Sequence, residues 1–219
     1  MCGRYAITLP DDAMVQLFSA APANNLPDVP NYNVCPTTDI HVVTGDAEFG
    51  RRLVSMRWGF VPEWYKTPTD GPLLINARSE TIAQKPAFRN ACRTRRCLIP
   101  VSGFYEWTKD SDGTRWPWYI HADQTLALAG VWQRWGSEDN QLSSCAVVTT
   151  GANETVSQVH HRMPVVIDEA DWGLWLGEQG HGAATLMKAA DEELLSFHQV
   201  DRAVNSNRAS GAQLIEVYE

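Results

Sequence analysis

The amino-acid sequence predicts an α+β fold, a β-rich domain with a strongly bent mixed or antiparallel sheet, or a barrel, and peripheral helices. Three observations support this prediction. Short runs rich in β-branched and aromatic residues follow one another between residues 97 and 149. The turn-forming segment Asp110-Ser111-Asp112-Gly113 separates two of these runs. No internal repeat, low-complexity tract or linker divides the chain, so we assign residues 1–219 to a single domain.

The individual elements follow from local patterns. Asp11 and Asp12 come directly after Pro10 at the start of the first helix, and Ser79 caps a second helix that Pro86 breaks or kinks. The predicted helices cover residues 10–18, 79–93, 168–176 and 189–195. Residues 21–39, rich in Pro and Asn, and residues 63–71 are predicted to be loops. The predicted strands cover residues 40–43, 53–58, 97–101, 103–107, 116–121, 126–132, 144–149 and 214–218.

The charge of the chain argues against a general nucleic-acid binder, because the formal net charge is −8. The charge is uneven, however, with a net +2 over residues 1–100 and −10 over residues 101–219. Six Lys and Arg stand between residues 78 and 96 against one acid, Glu80. This segment is either a local anion-binding surface or a solvated charged face. The nine tryptophans likewise indicate either a large aromatic core or some residues that stack on bases.

The five cysteines do not indicate a disulfide framework or a metal site. Their number is odd, the chain is not small, and no pair has the C-x-x-C spacing of zinc ligands. We therefore expect no metal and no cofactor. The sequence has no signal-peptide pattern and no apolar run of about eighteen residues, so we expect a cytoplasmic protein that does not cross a membrane.

Cys2 follows Met1 directly, and methionine aminopeptidases remove the initiator before small residues such as Cys. An N-terminal cysteine carries an α-amine with an ordinary pKa of about 7.7–8.0 next to a thiol. The amine can form an imine with an aldehyde, and the thiol can then close a five-membered thiazolidine with the high effective molarity of an intramolecular reaction. Two other interpretations remain: a thiol nucleophile with the amine as its base, or a small residue at a tolerated position.

Either chemistry needs an acid or base, and three segments offer one. His160 and His161 precede an Arg and can transfer protons near neutral pH, although histidines are more often structural. Glu106 lies among large apolar residues, where burial would suit it to proton transfer, or it lies at the surface of an edge strand. Asn76 either orients a carbonyl or sugar oxygen or caps a turn.

Eight motifs occur in an order that resembles the SOS response associated peptidase (SRAP) family, whose members shield abasic sites in DNA. The motifs are Met1-Cys2-Gly3-Arg4, Tyr32-Asn33-Val34 with Pro36-Thr37, Arg57-Trp58-Gly59-Phe60-Val61-Pro62, Asn76-Ala77-Arg78-Ser79-Glu80-Thr81, Arg96-Cys97-Leu98-Ile99-Pro100, Gly103-Phe104-Tyr105-Glu106-Trp107, Gly130-Val131-Trp132, and His160-His161-Arg162-Met163-Pro164. Each is weak alone, and their order over residues 1–164 makes the signal specific.

The resemblance implies roles for four residues in a reaction with abasic sites. Cys2 would form the thiazolidine with the ring-opened sugar aldehyde, and Asn76 would hold that sugar. Glu106 would handle the α-amine and its protons, and His160 would help to open the sugar ring and to reverse the link. His161 is the neighbour with which His160 could exchange roles.

The resemblance also implies a DNA-binding groove. Arg4, Arg78 and Arg162 would contact phosphates, and Trp64, with Tyr65 beside it, would form a wedge at a junction of single-stranded and double-stranded DNA. The implied partner is single-stranded DNA, or such a junction, carrying an abasic site, and the implied state is a monomer found with the nucleoid when bound. Two alternatives stay open: a thiol peptidase or amidohydrolase that uses the same residues, and a non-catalytic single-strand-binding module.

Overall fold

The computed structural model describes residues 2–46, 48–137 and 140–218, and strands account for most of its regular structure. The strands in this part of the chain are β1 Tyr5–Ile7, β2 Ala20–Pro22, β3 Asn31–Val34, β4 Asp39–Asp46, β5 Gly50–Trp58, β6 Asn76–Arg78, β7 Arg96–Lys109, β8 Arg115–Trp135, β9 Leu142–Gly151, β10 Arg162–Pro164 and β11 Ser196–Gln199. The α-helices are α1 Asp11–Phe18, α2 Arg89–Thr94, α3 Glu154–Ser157 and α4 Trp172–Leu176. Short 3-10 helices are Glu169–Asp171, Ala183–Leu186, Arg202–Asn205 and Ala212–Ile215.

The centre of the fold is a ring of strands, because β7 pairs with both β4 and β8 while β8, β9, β5 and β4 follow one another in the sheet. Strands β1 and β3 extend the sheet from β7, and β11 extends it from β8. Most pairs are antiparallel, whereas β2 and β9 make parallel pairs with β5, and β6 makes one with β9. The predicted β-rich α+β fold with a strongly bent mixed sheet is therefore confirmed.

The long hairpin of β7 and β8 explains why the sequence shows separate short runs. A bulge between Val101 and Gly103 interrupts the register, so that two predicted strands form one continuous β7. A Cβ atom at Gly103 would lie 2.5 Å from the ring of Tyr119 and 2.7 Å from the carbonyl oxygen of Ile120, so only glycine fits there. The predicted turn is present, since Gly113 has φ +86° and its N–H donates to the carbonyl of Asp110 at 3.0 Å.

Two hydrophobic clusters hold the sheet together. The larger one fills the space between the ring strands and the peripheral helices and includes the fully buried indoles of Trp58 and Trp175. The smaller one joins Tyr105 and Tyr119 of the hairpin to Val204 and Leu214 of the C-terminal segment. Several tryptophans are thus core residues, as one of the two interpretations of their number predicted.

Four element predictions need correction. The predicted helix over 79–93 is a series of turns followed by α2, which starts three residues after Pro86. The predicted loop over 21–39 contains the end of β2 and all of β3, which pairs with β1. The predicted helix over 189–195 has one turn only, and the predicted strand over 214–218 begins inside a 3-10 helix.

No helix in the described ranges has both the length and the apolar character needed to cross a membrane.

Candidate functional site

Cys2 is fully buried three residues before β1, which pairs with β7. The antiparallel register pairs Tyr5 with Phe104, so Glu106 lies two residues further along β7, at the level of the residue after Cys2. The N–H of Tyr105 donates to the carbonyl of Arg4 at 2.9 Å and fixes this alignment. The pairing of β1 with β7 therefore brings the carboxylate of Glu106 to the N-terminal residues.

Asn76 reaches Cys2 from the opposite direction. It begins β6, which runs parallel to β9 with Asn76 opposite Val147. Its side-chain Nδ2 donates to the carbonyl oxygen of Cys2 at 2.8 Å. Its Oδ1 is buried and has no hydrogen-bond partner within the described ranges, which leaves one strong acceptor beside Cys2.

His160, which follows α3, is the fourth member of the group with Cys2, Asn76 and Glu106. Its N–H donates to the carbonyl of Val156 at 2.9 Å. Its ring Nδ1 lies 3.0 Å from both the N–H and the carbonyl oxygen of Arg162, and 3.9 Å from Oε1 of Glu106. The backbone of Arg162 thus fixes the orientation of the imidazole through Nδ1.

His161 has a different environment. Its ring lies 4.4 Å from that of His160 but is exposed, and it does not line the cleft that His160 and Glu106 share. The neighbouring His160 is the main cause that lowers the pKa of His161. The geometry therefore favours His160 over His161 for the acid/base role.

The thiol of Cys2 is held in its neutral form. Burial is the main cause that raises its pKa, and the negative charge of Glu106 raises it further. Thiols that act as nucleophiles in hydrolysis have lowered pKa values, so this environment is unlike that of a cysteine protease. A neutral thiol next to a carboxylate suits an addition in which its proton is passed on as the sulfur attacks.

Two clefts are lined by residues adjacent to Cys2. The first has a volume of about 560 Å³ and contains Asn76, which contacts Cys2, with Trp64, Arg78, Lys85 and Phe88 among its other lining residues. Trp64 is 58% exposed and packs edge-on against Tyr65, with ring centroids 6.3 Å apart. An exposed indole beside arginine and lysine side chains is the combination that binds single-stranded nucleic acids.

The second cleft has a volume of about 410 Å³ and contains Glu106 and His160. Its other lining residues are Gly3, Arg4, Trp107, Lys109, Arg115 and Asn205. The guanidinium groups of Arg4 and Arg115 lie 5.9 and 5.0 Å from the centre of the Trp107 ring. Local positive charge thus surrounds the site in spite of the acidic net charge of the chain.

The predicted phosphate-binding arginines have different surroundings. Arg78 is exposed in the first cleft. Arg4 lines the second cleft, where its Nη1 donates to Oδ1 of Asn33 at 2.6 Å and to the carbonyl of Val204 at 2.8 Å. Arg162 forms an ion pair with Glu80, with Nη1 2.6 Å from Oε1. All three lie around the group of Cys2, Asn76, Glu106 and His160.

Sequence reasoning did not select Trp107, Lys109, Arg115 or Asn205 as site residues. The indole N–H of Trp107 donates to Oδ1 of Asn205 at 2.6 Å, and the register of the hairpin places Lys109 opposite Arg115. Two signals could have indicated a role: the position of Trp107 directly after Glu106, and the weaker match to the family at Val204-Asn205. No group of three or more His, Cys, Asp or Glu with a metal-binding arrangement occurs in the residues that the structure covers.

Comparison with known proteins gives a consistent result. The family model described as SOS response associated peptidase (SRAP) matches residues 1–207. Abasic site processing protein YoqW of Bacillus subtilis is 33% identical over 225 residues, with 99% of each chain covered. Abasic site processing protein YedK of Escherichia coli is 27% identical over 226 residues, again with 99% of each chain covered. Abasic site processing protein HMCES of Pongo abelii is 27% identical over 260 residues, which cover 95% of this chain and 73% of that protein.

Solved structures show the same fold. A crystal structure of a protein from Bacteroides thetaiotaomicron superimposes with a TM-score of 0.86 at 20% identity, and all of both chains is covered. A second, from Bordetella bronchiseptica, has a TM-score of 0.75 at 22% identity and covers 91% of this chain and 100% of that one.

Proposed function

The chain belongs to the SOS response associated peptidase (SRAP) family, and we propose that it recognises abasic sites in single-stranded DNA and binds them covalently through Cys2 after Met1 is removed. The link would shield the lesion during the response to DNA damage. The observation that carries the proposal is the grouping of Asn76, which bonds to Cys2, with Glu106, whose charge acts on the Cys2 thiol, and with His160, 3.9 Å from Glu106. Two clefts with basic and aromatic walls adjoin this group. Abasic site processing proteins of similar length, such as YoqW, support the choice of substrate.

The proposed reaction has two bond-forming steps. The free α-amine of Cys2 attacks the aldehyde carbon of the ring-opened sugar, and loss of water gives an imine. The thiol sulfur of Cys2 then adds to the imine carbon, its proton passes to the nitrogen, and a thiazolidine ring closes. No oxidant, reductant or metal takes part, and the second step is intramolecular.

The neighbouring side chains would move the protons. His160 would donate a proton as the sugar ring opens and as water leaves, because its ring lines the second cleft, 3.9 Å from Glu106. Glu106 would accept a proton from the α-amine and later from the thiol, whose pKa it helps to raise. The buried Oδ1 of Asn76, which has no hydrogen-bond partner among the described residues, would accept a hydrogen bond from a sugar hydroxyl while its Nδ2 keeps Cys2 in place.

The DNA strand would pass from one cleft to the other over Cys2. Trp64 and Arg78 would hold the bases and phosphates on one side, and Arg4 and Arg115 would contact phosphates on the other. A duplex would not fit this path without unpairing, because the aldehyde must reach a recessed N-terminal residue.

The experiment that tests the proposal is incubation of the mature protein with a single-stranded oligonucleotide containing one abasic site, followed by denaturing gel electrophoresis. We expect a shifted band that the undamaged oligonucleotide does not give. The variant Cys2→Ala keeps the amine and should give a shifted band only after borohydride reduction. A variant with residues fixed in front of Cys2 should give no band under either condition.

The second candidate function is a thiol peptidase, which the description of the family model names. A thiol nucleophile whose base is a side chain requires the thiol of Cys2 but not a free α-amine, so the extended variant would keep more of that activity than Cys2→Ala. Equal cross-linking of abasic DNA by the extended and mature proteins would contradict the thiazolidine mechanism.

A further inference from the structure

The guanidinium group of Arg162, two residues after His160, is paired with the carboxylate of Glu80 in the free protein. Oε1 of Glu80 accepts from Nη1 of Arg162 at 2.6 Å, and Oε2 accepts from Nη2 at 3.0 Å. Such a bidentate pair uses the same edge of the guanidinium group that binds a phosphate. A phosphate of bound DNA and the carboxylate of Glu80 therefore cannot both bind this edge.

The sheet brings the two residues together from opposite sides of β9. Strand β6 places Arg78 opposite Thr149, and the N–H of Ser79 then donates to the carbonyl of Thr149 at 2.8 Å, which sets the position of Glu80. Strand β10 pairs with β9 in the other direction, with Arg162 opposite Gly151. Glu80 thus lies beside Arg162 and two residues after Arg78, next to the path proposed for DNA.

The two partners differ in how firmly they are held. The side chain of Arg162 is 12% exposed, and its Nη2 also donates to the carbonyl of Thr149 at 2.8 Å. The side chain of Glu80 is 50% exposed. If the pair opens, the carboxylate can move into solvent while the guanidinium stays in place.

From this geometry we propose that Glu80 is a stand-in for a DNA phosphate: it holds Arg162 in its binding position in the free protein and is displaced when DNA binds. The proposal rests on the proposed function, because it takes Arg162 as a phosphate contact. It makes Glu80 a residue that sets DNA affinity, and it explains how a largely buried arginine stays ordered before DNA arrives. The hydrogen bonds from Arg162 lower the pKa of the Glu80 carboxyl, so the competing carboxylate is ionised at neutral pH.

The exchange lowers the affinity for DNA, because the pair of Glu80 and Arg162 must break before a phosphate can bind Arg162. Neutralisation of that phosphate releases about 0.7 of a cation from single-stranded DNA whether or not residue 80 is a carboxylate. Removal of the carboxylate should therefore raise the affinity, while the slope of log K against log salt changes little.

The test compares Glu80→Gln with the wild-type protein for binding of an undamaged, fluorescently labelled single-stranded oligonucleotide at several salt concentrations. We expect Glu80→Gln to bind about two- to fivefold more tightly at low salt, the range that corresponds to an exposed ion pair, with a similar salt slope. Glu178→Gln is the matched control, because Glu178 forms a similar pair with Arg51, at 2.9 Å, away from the site residues. It makes the same change in net charge and should leave the affinity for DNA nearly unchanged.

A double mutant separates displacement from general repulsion. In an Arg162→Gln background, Glu80→Gln should give no further gain in affinity. An equal gain in both backgrounds would overturn the proposal, and so would unchanged or weaker binding by Glu80→Gln in the wild-type background. If Arg162→Gln does not fold, the affinity of Glu80→Gln compared with that of Glu178→Gln decides alone. Failure of the wild-type protein to bind single-stranded DNA at low salt would instead contradict the proposed function.

Discussion

Replacing His160 tests the assignment of the acid/base group, and the adjacent His161 provides a matched control. A positioned acid or base contributes typically about 10²–10⁴-fold to a rate, or roughly 3–5 kcal/mol of barrier. Glu106 lies 3.9 Å from Nδ1 of His160 and remains available to move protons in the variant. We therefore expect His160→Ala to slow cross-link formation by about 10²-fold, at the lower end of this range.

The assay is a single-turnover time course with protein in excess over an abasic single-stranded oligonucleotide, resolved on denaturing gels. Reversal is followed by adding an excess of a small aldehyde-trapping amine to the purified cross-link, and it should slow by a similar factor because the same proton transfers run backwards. His161→Ala should change either rate by less than about threefold, because that ring is exposed and outside the cleft.

The loss of a structural hydrogen bond must be separated from the loss of proton transfer. Nδ1 of His160 interacts with the backbone of Arg162 at 3.0 Å, and an unpaired N–H there costs about 1–3 kcal/mol of stability. His160→Asn offers an amide oxygen close to the position of Nδ1 but cannot transfer protons. We expect His160→Asn to be as slow as His160→Ala and more stable to heat. Normal rates in His160→Asn, or a larger effect from His161→Ala, would refute the assignment.

Three further predictions concern the DNA path and the thiol. Arg78→Ala should weaken binding of undamaged single-stranded DNA about tenfold, as measured by fluorescence anisotropy. It should leave the reaction of Cys2 with a small soluble aldehyde unchanged, as measured by mass spectrometry, because an exposed phosphate contact performs no chemistry. Loss of both would place Arg78 in the reactive centre. Single-stranded and junction DNA should bind more tightly than blunt duplex, and Trp64→Ala should reduce the preference for the junction; equal affinities in a competition assay would contradict this. Glu106→Gln should speed alkylation of Cys2 by iodoacetamide at pH 8. Removal of the carboxylate charge lowers the raised pKa of the thiol, which increases the thiolate fraction. An unchanged rate would mean that burial alone raises that pKa.

Local patterns predicted those elements whose own residues decide their structure. The helix after Pro10 and the strands around residues 40–43 and 53–58 have clear periodicity, and the structure confirms them as α1, β4 and β5. The predicted helix over 189–195 did not form, because tertiary contacts engage its backbone. Nδ2 of Asn153 donates to the carbonyl of Ala190 at 3.2 Å, and the carboxylate of Glu192 accepts from the N–H of Glu154 at 2.8 Å to cap α3 instead.

The residues of the candidate site differ in the same way: some could be selected from their sequence neighbours, and others meet only in the folded chain. Cys2, Glu106 and His160 could be selected because each has a chemistry that its sequence neighbours make plausible. The aromatic and cationic wall of the second cleft could not, because Trp107 and Arg115 meet only through the register of the β7–β8 hairpin, with Trp107 opposite Pro117. The pairing of Arg162 with Glu80 was equally hidden, since the two residues are 82 positions apart and meet only across β9.

The contacts around the N-terminal strand also determine when the site can exist during folding. Asn76 reaches Cys2 across 74 residues, and Arg4 reaches the carbonyl of Val204 across 200. Contacts between such distant segments close large loops, so they form late and slow the folding of a chain that depends on them. A partly folded molecule would carry the same amine and thiol at Cys2 without the groups that organise them. Fast capture of an aldehyde would then report the completed tertiary structure, and its rate after dilution from denaturant would measure the last step of folding.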